Sequence, residues 1–274
     1  MARLHLFEIA DQPWCSQAFR DATTDLLEFF LRKGNYYAPI VPRLKLALER
    51  TRQTQIVDLC SGGGGPWLRL LREFDDPALR VLLTDKFPNA PALQRVANAS
   101  AGRIRCELAS VDATAAPETL RGFRSMFTAF HHFQPEMAQA ILADAVRNRV
   151  EIGIFEFTER SVIGVLAMAF SPLAVLLAVP FLRPIRWQTL LLTYVVPVLP
   201  IGTMFDGFVS CLRTYSPREL NQLTTAMGDT GYTWEIGRAR SWRSPVPITY
   251  LIGIPNLESV AAVTGDGPPV PKPL

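Results

Sequence analysis

The segment Ile56-Val-Asp-Leu-Cys-Ser-Gly-Gly-Gly-Gly-Pro-Trp67 holds the most chemically pointed residues of the chain. An apolar run carries Asp58, a tetraglycine follows, and Pro66 stands where a helix should open. Glycines let the backbone turn sharply and let a ligand approach where a Cβ would stand in the way. Asp85 ends the next apolar run, about 20 residues past the glycines, a spacing that suits a carboxylate accepting from both hydroxyls of a ribose. Asp112 follows a third run, from which it could reach an adenine amino group. Acids at successive strand ends are a far more specific signal than a glycine cluster alone. His131 and His132 form a second group, and Glu156 and Glu159 follow another apolar run. An imidazole there suits removal of a proton from a hydroxyl or ammonium acceptor. The alternative for the histidines is local packing, and for the glutamates a cap. The adjacent pair cannot make a zinc site alone, and neither a further histidine nor clustered cysteines complete one.

These residues need elements to position them. Gln55–Cys60, Arg80–Asp85, Ile104–Val111, Ser125–Phe130 and Glu151–Phe157 read as short buried strands. Helical patterns fill the gaps at Trp67–Phe74, Ala90–Ala99 and Pro135–Arg149. Strands alternating with helices predict a parallel sheet covered on both faces. Such a sheet binds ligands at the carboxyl ends of its strands. Before it, Trp14–Leu31 and Ile40–Glu49 read as helices. After it, Ser216 caps a helix over Pro217–Gly228, and Tyr232–Ala239 and Pro247–Ile254 read as final strands.

The motifs resemble those of class I S-adenosylmethionine-dependent methyltransferases. DLCSGGGGP is similar to that family's first motif, LLTDKFP to its second and SVDAT to its third. FTAFHHF resembles the segment after the fourth strand, and LRTYSPRELNQLTTAMGDTGYTWE the late helix and sixth strand. The family usually has Gly where this chain has Cys60. The resemblance covers about residues 50–160 and 206–254. It implies a Rossmann-like α/β fold with a seven-stranded sheet, an antiparallel seventh strand, and S-adenosyl-L-methionine as cofactor. It places Asp58, Ser61, Gly62, Gly63 and Gly64 at the methionine end, Asp85 and neighbouring Lys86 at the ribose, and Asp112 and Ala113 at the adenine. His131, His132 and Glu156 become the candidate catalytic residues. A nicotinamide-dependent oxidoreductase competes, but its G-x-G-x-x-G fingerprint meets Trp67 or Leu68 at the third position. A non-catalytic membrane-anchored module with the same fold is the other alternative.

The alternation breaks after Phe157. Ser161–Leu182 has 22 residues without charge, Arg183 and Arg186 follow, and Trp187–Phe205 adds 19 uncharged residues. The first stretch would span roughly 33 Å as an ideal helix, enough for a bilayer core. It reads either as a transmembrane hairpin or as a lid that dips into one leaflet, with prolines against the former and phosphates pairing with the two arginines in the latter. Arg240, Trp242 and Arg243, in the turn between the last strands, suit a headgroup interface. Arg213 and Tyr215 would contact the acceptor or pin the returning chain. The hydrophobic fraction is 49% and the net charge +3, which excludes a dedicated nucleic-acid binder. Cys15, Cys60, Cys106 and Cys211 have no metal-type spacing and suit a reducing compartment. No secretory signal opens the chain, so the expected place is cytoplasmic and membrane-associated, with a small-molecule or lipid acceptor as partner and no nucleic acid. The expected organisation is a helical extension over 1–50, a catalytic domain over 51–160 and 206–256, an apolar insertion over 161–205, and a flexible tail over 257–274.

Overall fold

The computed structural model describes residues 2–241 and 244–256. The expected tail therefore lies outside the described residues. Helices α1 (Gln17–Gly34) and α2 (Val41–Thr51) lead into strand β1 (Gln55–Asp58). Then come α3 (Trp67–Leu70), β2 (Arg80–Leu83), α4 (Ala90–Asn98), β3 (Ile104–Cys106), β4 (Phe123–Phe127), α5 (Pro135–Arg147) and β5 (Ile152–Glu156). An apolar segment follows as α6 (Val162–Ala169), α7 (Ser171–Ala178), α8 (Trp187–Leu190) and α9 (Val198–Arg213). The chain returns through α10 (Pro217–Ala226), β6 (Tyr232–Ser241) and β7 (Ser244–Pro255).

The seven strands form one Rossmann-like sheet in the order β3-β2-β1-β4-β5-β7-β6. β1 to β5 run parallel, and β7 lies antiparallel between β5 and β6. Alternate side chains of each strand feed opposite faces. Ile56 thus joins a core with α2, α3 and α4, while Val57 joins one with α5 and α10. Leu44, Ala47 and Leu48 of α2 belong to the first core, so this helix packs on the sheet.

Several boundaries differ from expectation. α3 is a single turn, with Trp67 buried at its start against Phe127. β3 pairs with β2 over only three residues and leaves Arg80 of β2 without a partner in β3. The apolar segment is not a pair of straight helices. No single helix among the described residues is long and apolar enough to cross a membrane. Val162–Ala169 and Ser171–Phe181 meet at 44°, and Trp187–Val195 and Val198–Arg213 at 82°. Pro172 and Pro197 stand at these breaks, where each lacks the amide hydrogen that would continue the ladder.

The insertion is held from beneath by α1. Phe19, Ala22 and Leu26 pack against Val175, Ala178, Val179 and Leu199. Arg186 bonds Asp21 at 2.7 Å and lies 3.6 Å from Asp25. That arginine is therefore turned toward the protein rather than toward a phosphate. Its neighbour Arg183 donates to the carbonyls of Pro180 and Leu182.

Candidate active site

The carboxyl ends of β1, β2 and β4 meet at the glycine turn. Asp58 is fully buried and accepts from Ser61 at 2.7 Å and Ser125 at 2.6 Å. Burial raises its pKa to about 6, against the lowering effect of those hydroxyls. Ser61 also donates to the Asp58 carbonyl, and its amide donates to Thr84, so the turn is stitched to β2.

The glycines do different work. Gly64 has φ +104, and a Cβ there would lie 2.8 Å from Val96 of α4. A Cβ on Gly63 would lie 2.7 Å from Thr24 of α1. Gly62, at φ +54, meets nothing within 4 Å. Gly62 is thus the turn glycine that faces open space, while Gly63 and Gly64 allow helices to close on the loop. Cys60, where the family resemblance leads one to expect Gly, adopts φ +56 in the left-handed region that favours glycine.

Asp85 stands beside Gly62. One carboxylate oxygen accepts from the Gly62 amide and the other from the Phe87 amide, each at 2.8 Å. Both oxygens are fixed in direction while each keeps a lone pair for a ligand. Asp112 accepts twice from Thr114, through its amide and its hydroxyl, and pairs with Lys86 at 2.8 Å. The Lys86 and Thr114 bonds hold its pKa down at about 2. Ala113, next to Asp112, is buried in the α5-side core.

Glu156, at the end of β5, organises the start of the segment after β4. One of its oxygens accepts from the Phe130 amide at 2.7 Å, the other from His131 Nδ1 at 2.7 Å. His131 is 1% exposed, and its Nε2 has no hydrogen-bond partner. Across from it stands Glu8, 3.8 Å away. His132 Nδ1 lies 3.1 Å from Asp11 and 3.7 Å from Glu8. Burial works to lower the His132 pKa, but Glu8 and Asp11 more than offset it and hold it at about 9.

Arg213 and Tyr215 pin the returning chain to this cluster. The Arg213 guanidinium bonds Leu6, Asp11 and Glu8, and the Tyr215 hydroxyl donates to Phe133 at 2.8 Å. Arg3 stacks on the Tyr215 ring at 4.0 Å. Arg240 is exposed on β6 near the carboxyl edge, where Arg238 pairs with Glu159 at 2.9 Å. Trp242 and Arg243 lie outside the described residues.

Sequence reasoning missed Glu8 and Asp11. They precede the histidines by more than a hundred positions and sit in no motif; the one available signal was acids flanking apolar Phe7 and Ile9. Phe7 and Ile9 line an apolar groove of about 480 Å³ with Trp14, Ile201 and Phe205.

No family model matches the chain, and no curated protein matches it by sequence. Solved structures do resemble it. An O-methyltransferase family protein from Burkholderia thailandensis shares 18% identity, with a TM-score of 0.48, over 86% of this chain and 59% of that one. The plantazolicin methyltransferase BpumL, in complex with SAH, shares 12% identity with a TM-score of 0.48 over 88% and 86%. PigF, also with SAH, shares 16% with a TM-score of 0.49 over 89% and 62%.

Proposed function

We propose that the chain transfers the methyl group of S-adenosylmethionine to a small amphipathic or lipid-like acceptor. The observation that carries this reading is the Asp85 carboxylate, locked by two backbone amides beside the open face of Gly62. A carboxylate so oriented is ready to accept both hydroxyls of a ribose whose base points on toward Asp112. Asp58, Ser61 and the glycine turn would face the methionine end, where an ionised Asp58 favours the cationic ligand.

Methyl transfer from a sulfonium is an in-line displacement, so alignment and exclusion of water do most of the work. His131, His132 and Glu156 are the proposed acceptor-side groups. His131 Nδ1 bonds the Glu156 carboxylate, and its unpartnered Nε2 faces Glu8 of the N-terminal segment. Residues of that segment separate polar from apolar: Glu8 faces the histidines, while Phe7 and Ile9 line the groove. An acceptor with a polar head and an apolar body suits that division. The exposed face formed by Phe170, Leu177, Phe181 and Trp187 gives the membrane reading its support.

Calorimetric titration with S-adenosylhomocysteine and, separately, with NADH tests the cofactor. Binding of the first and loss of about 100-fold in D85A is the expected result, from two charged hydrogen bonds. Binding of NADH alone would remove the reading. Incubating membranes with methyl-labelled S-adenosylmethionine and extracting lipid tests the acceptor; label confined to protein or RNA rejects a lipid.

A further inference from the structure

We propose that Glu8, His131 and His132 form a binding site for a divalent first-row transition-metal ion of the zinc type. The donor atoms of these three residues all lie within 4.8 Å of one another. His131 Nε2 is sealed from solvent and unpartnered, and it points at Glu8 Oε1 from 3.8 Å. His132 Nδ1 faces Glu8 Oε2 from 3.7 Å, and its present bond to Asp11, at 3.1 Å, would give way to a metal on that nitrogen. Both gaps to Glu8 are too long for a hydrogen bond. Two donors on one tetrahedral zinc, with bonds near 2.0–2.1 Å, stand roughly 3.3 Å apart. Closing each gap to Glu8 by about half an ångström, and drawing the two imidazole nitrogens from within 4.8 Å to the same spacing, would place a cation between the three residues.

The surroundings favour the same occupant. An imidazole that binds a metal through one nitrogen usually gives its other N–H to a carboxylate, which fixes the ring and raises its basicity. Glu156 stands in that place at 2.7 Å from His131 Nδ1. Ser210 donates to Glu8 Oε1 at 2.9 Å and holds the carboxylate in position. The carboxylates touching the imidazoles are Glu8, Asp11 and Glu156, and Arg213 is the cation that touches Glu8 and Asp11. A metal displaces the proton that His132 otherwise holds, and with both imidazoles then neutral, three carboxylates against one guanidinium leave two negative charges for a divalent ion to offset. Two imidazoles with one carboxylate suit zinc, iron, cobalt or nickel rather than magnesium or calcium. Three protein ligands leave a coordination position open, as in zinc sites that take a substrate oxygen. The site lies in the acceptor-side cluster of the methyltransferase reading and rests on that reading only for what a bound ion would do.

The test is titration of the full-length, chelator-treated protein with Co²⁺, followed by its visible absorption, with Zn²⁺ then added to displace it. One equivalent of Co²⁺ should bind with a tetrahedral-type band that Zn²⁺ abolishes. E8Q and H131A should each weaken binding by at least about tenfold. A parallel S-adenosylhomocysteine titration of the same samples reports whether fold and cofactor crevice are intact. Wild-type protein that binds S-adenosylhomocysteine but shows no stoichiometric Co²⁺ band overturns the metal site and leaves the methyltransferase reading standing. A Co²⁺ band that survives both substitutions overturns it as well. A band lost in the variants, from protein that never binds S-adenosylhomocysteine, supports the metal site and counts against the methyltransferase reading.

Discussion

Asp58 keeps its carboxyl buried, and two serines do not fully compensate for the lost solvation. Its folded pKa of about 6 lies above the unfolded value, so the native state holds the proton longer. Stability from this group is therefore greatest below pH 4 and falls as pH rises to 6, by about 3 kcal/mol. D58N should remove that slope, and urea unfolding from pH 4 to 7 should show the wild type losing ground to the variant. Affinity for a cationic ligand should move the opposite way and rise through pH 6 in the wild type only. The glycines offer a second contrast. G64A forces a Cβ into Val96 at a positive φ and should cost about 2–4 kcal/mol. G62A meets open space and should cost about 1 kcal/mol, yet lower S-adenosylhomocysteine affinity. Thermal melts and calorimetry separate the two effects. The glycine turn, Asp58, Asp85 and Asp112 were legible because a strand period, a turn and a terminal acid are local patterns. Glu8 and Asp11 were not, because only the folded chain brings them to the histidines.

At the level of elements, sequence patterns found every parallel strand but overestimated α3 and β3. α3 stops after one turn at Leu70, and β3 pairs with β2 over three residues only, lengths that no local pattern fixes. The apolar stretch left two readings open, with its prolines speaking against straight spans. Hydropathy counts residues without seeing bends, and the prolines that signal those bends are tolerated or not according to packing. α10 shows the opposite case, since Ser216 and Glu219 form a reciprocal cap that is readable from four residues. The Arg186 bridge to Asp21 is a contact between elements that no local pattern contains. R186A should lower stability by roughly 1 kcal/mol, as a half-buried ion pair would. It should also speed amide hydrogen exchange in 187–195 more than in β1 or β4. Equal acceleration everywhere would mean that the bridge serves the whole domain instead.

Viewed whole, the molecule exposes apolar side chains at scattered positions, such as Phe87 and Trp14, and in a dense run along the apolar segment. Phe170 is 72% exposed and Trp187 67%, and Val162, Leu166, Leu177 and Phe181 are also exposed. A face of this kind marks an interaction surface. Flotation with vesicles of mixed phosphatidylglycerol and phosphatidylcholine should carry the protein upward, and F170E with F181E should cut the bound fraction several-fold. An unchanged fraction would reject docking through this face.

Helix α1 touches two distant parts at once: its Thr24 lies under Gly63 of the cofactor turn, while its Asp21 and Asp25 hold Arg186 beneath the apolar segment. An element that shifts when either surface is occupied links the two occupancies thermodynamically. Should seating in a bilayer displace that helix, nucleoside affinity must change by some factor, and vesicle affinity must then change by the same factor when nucleoside is added. The chain would sense where it is by how tightly it holds its small ligand.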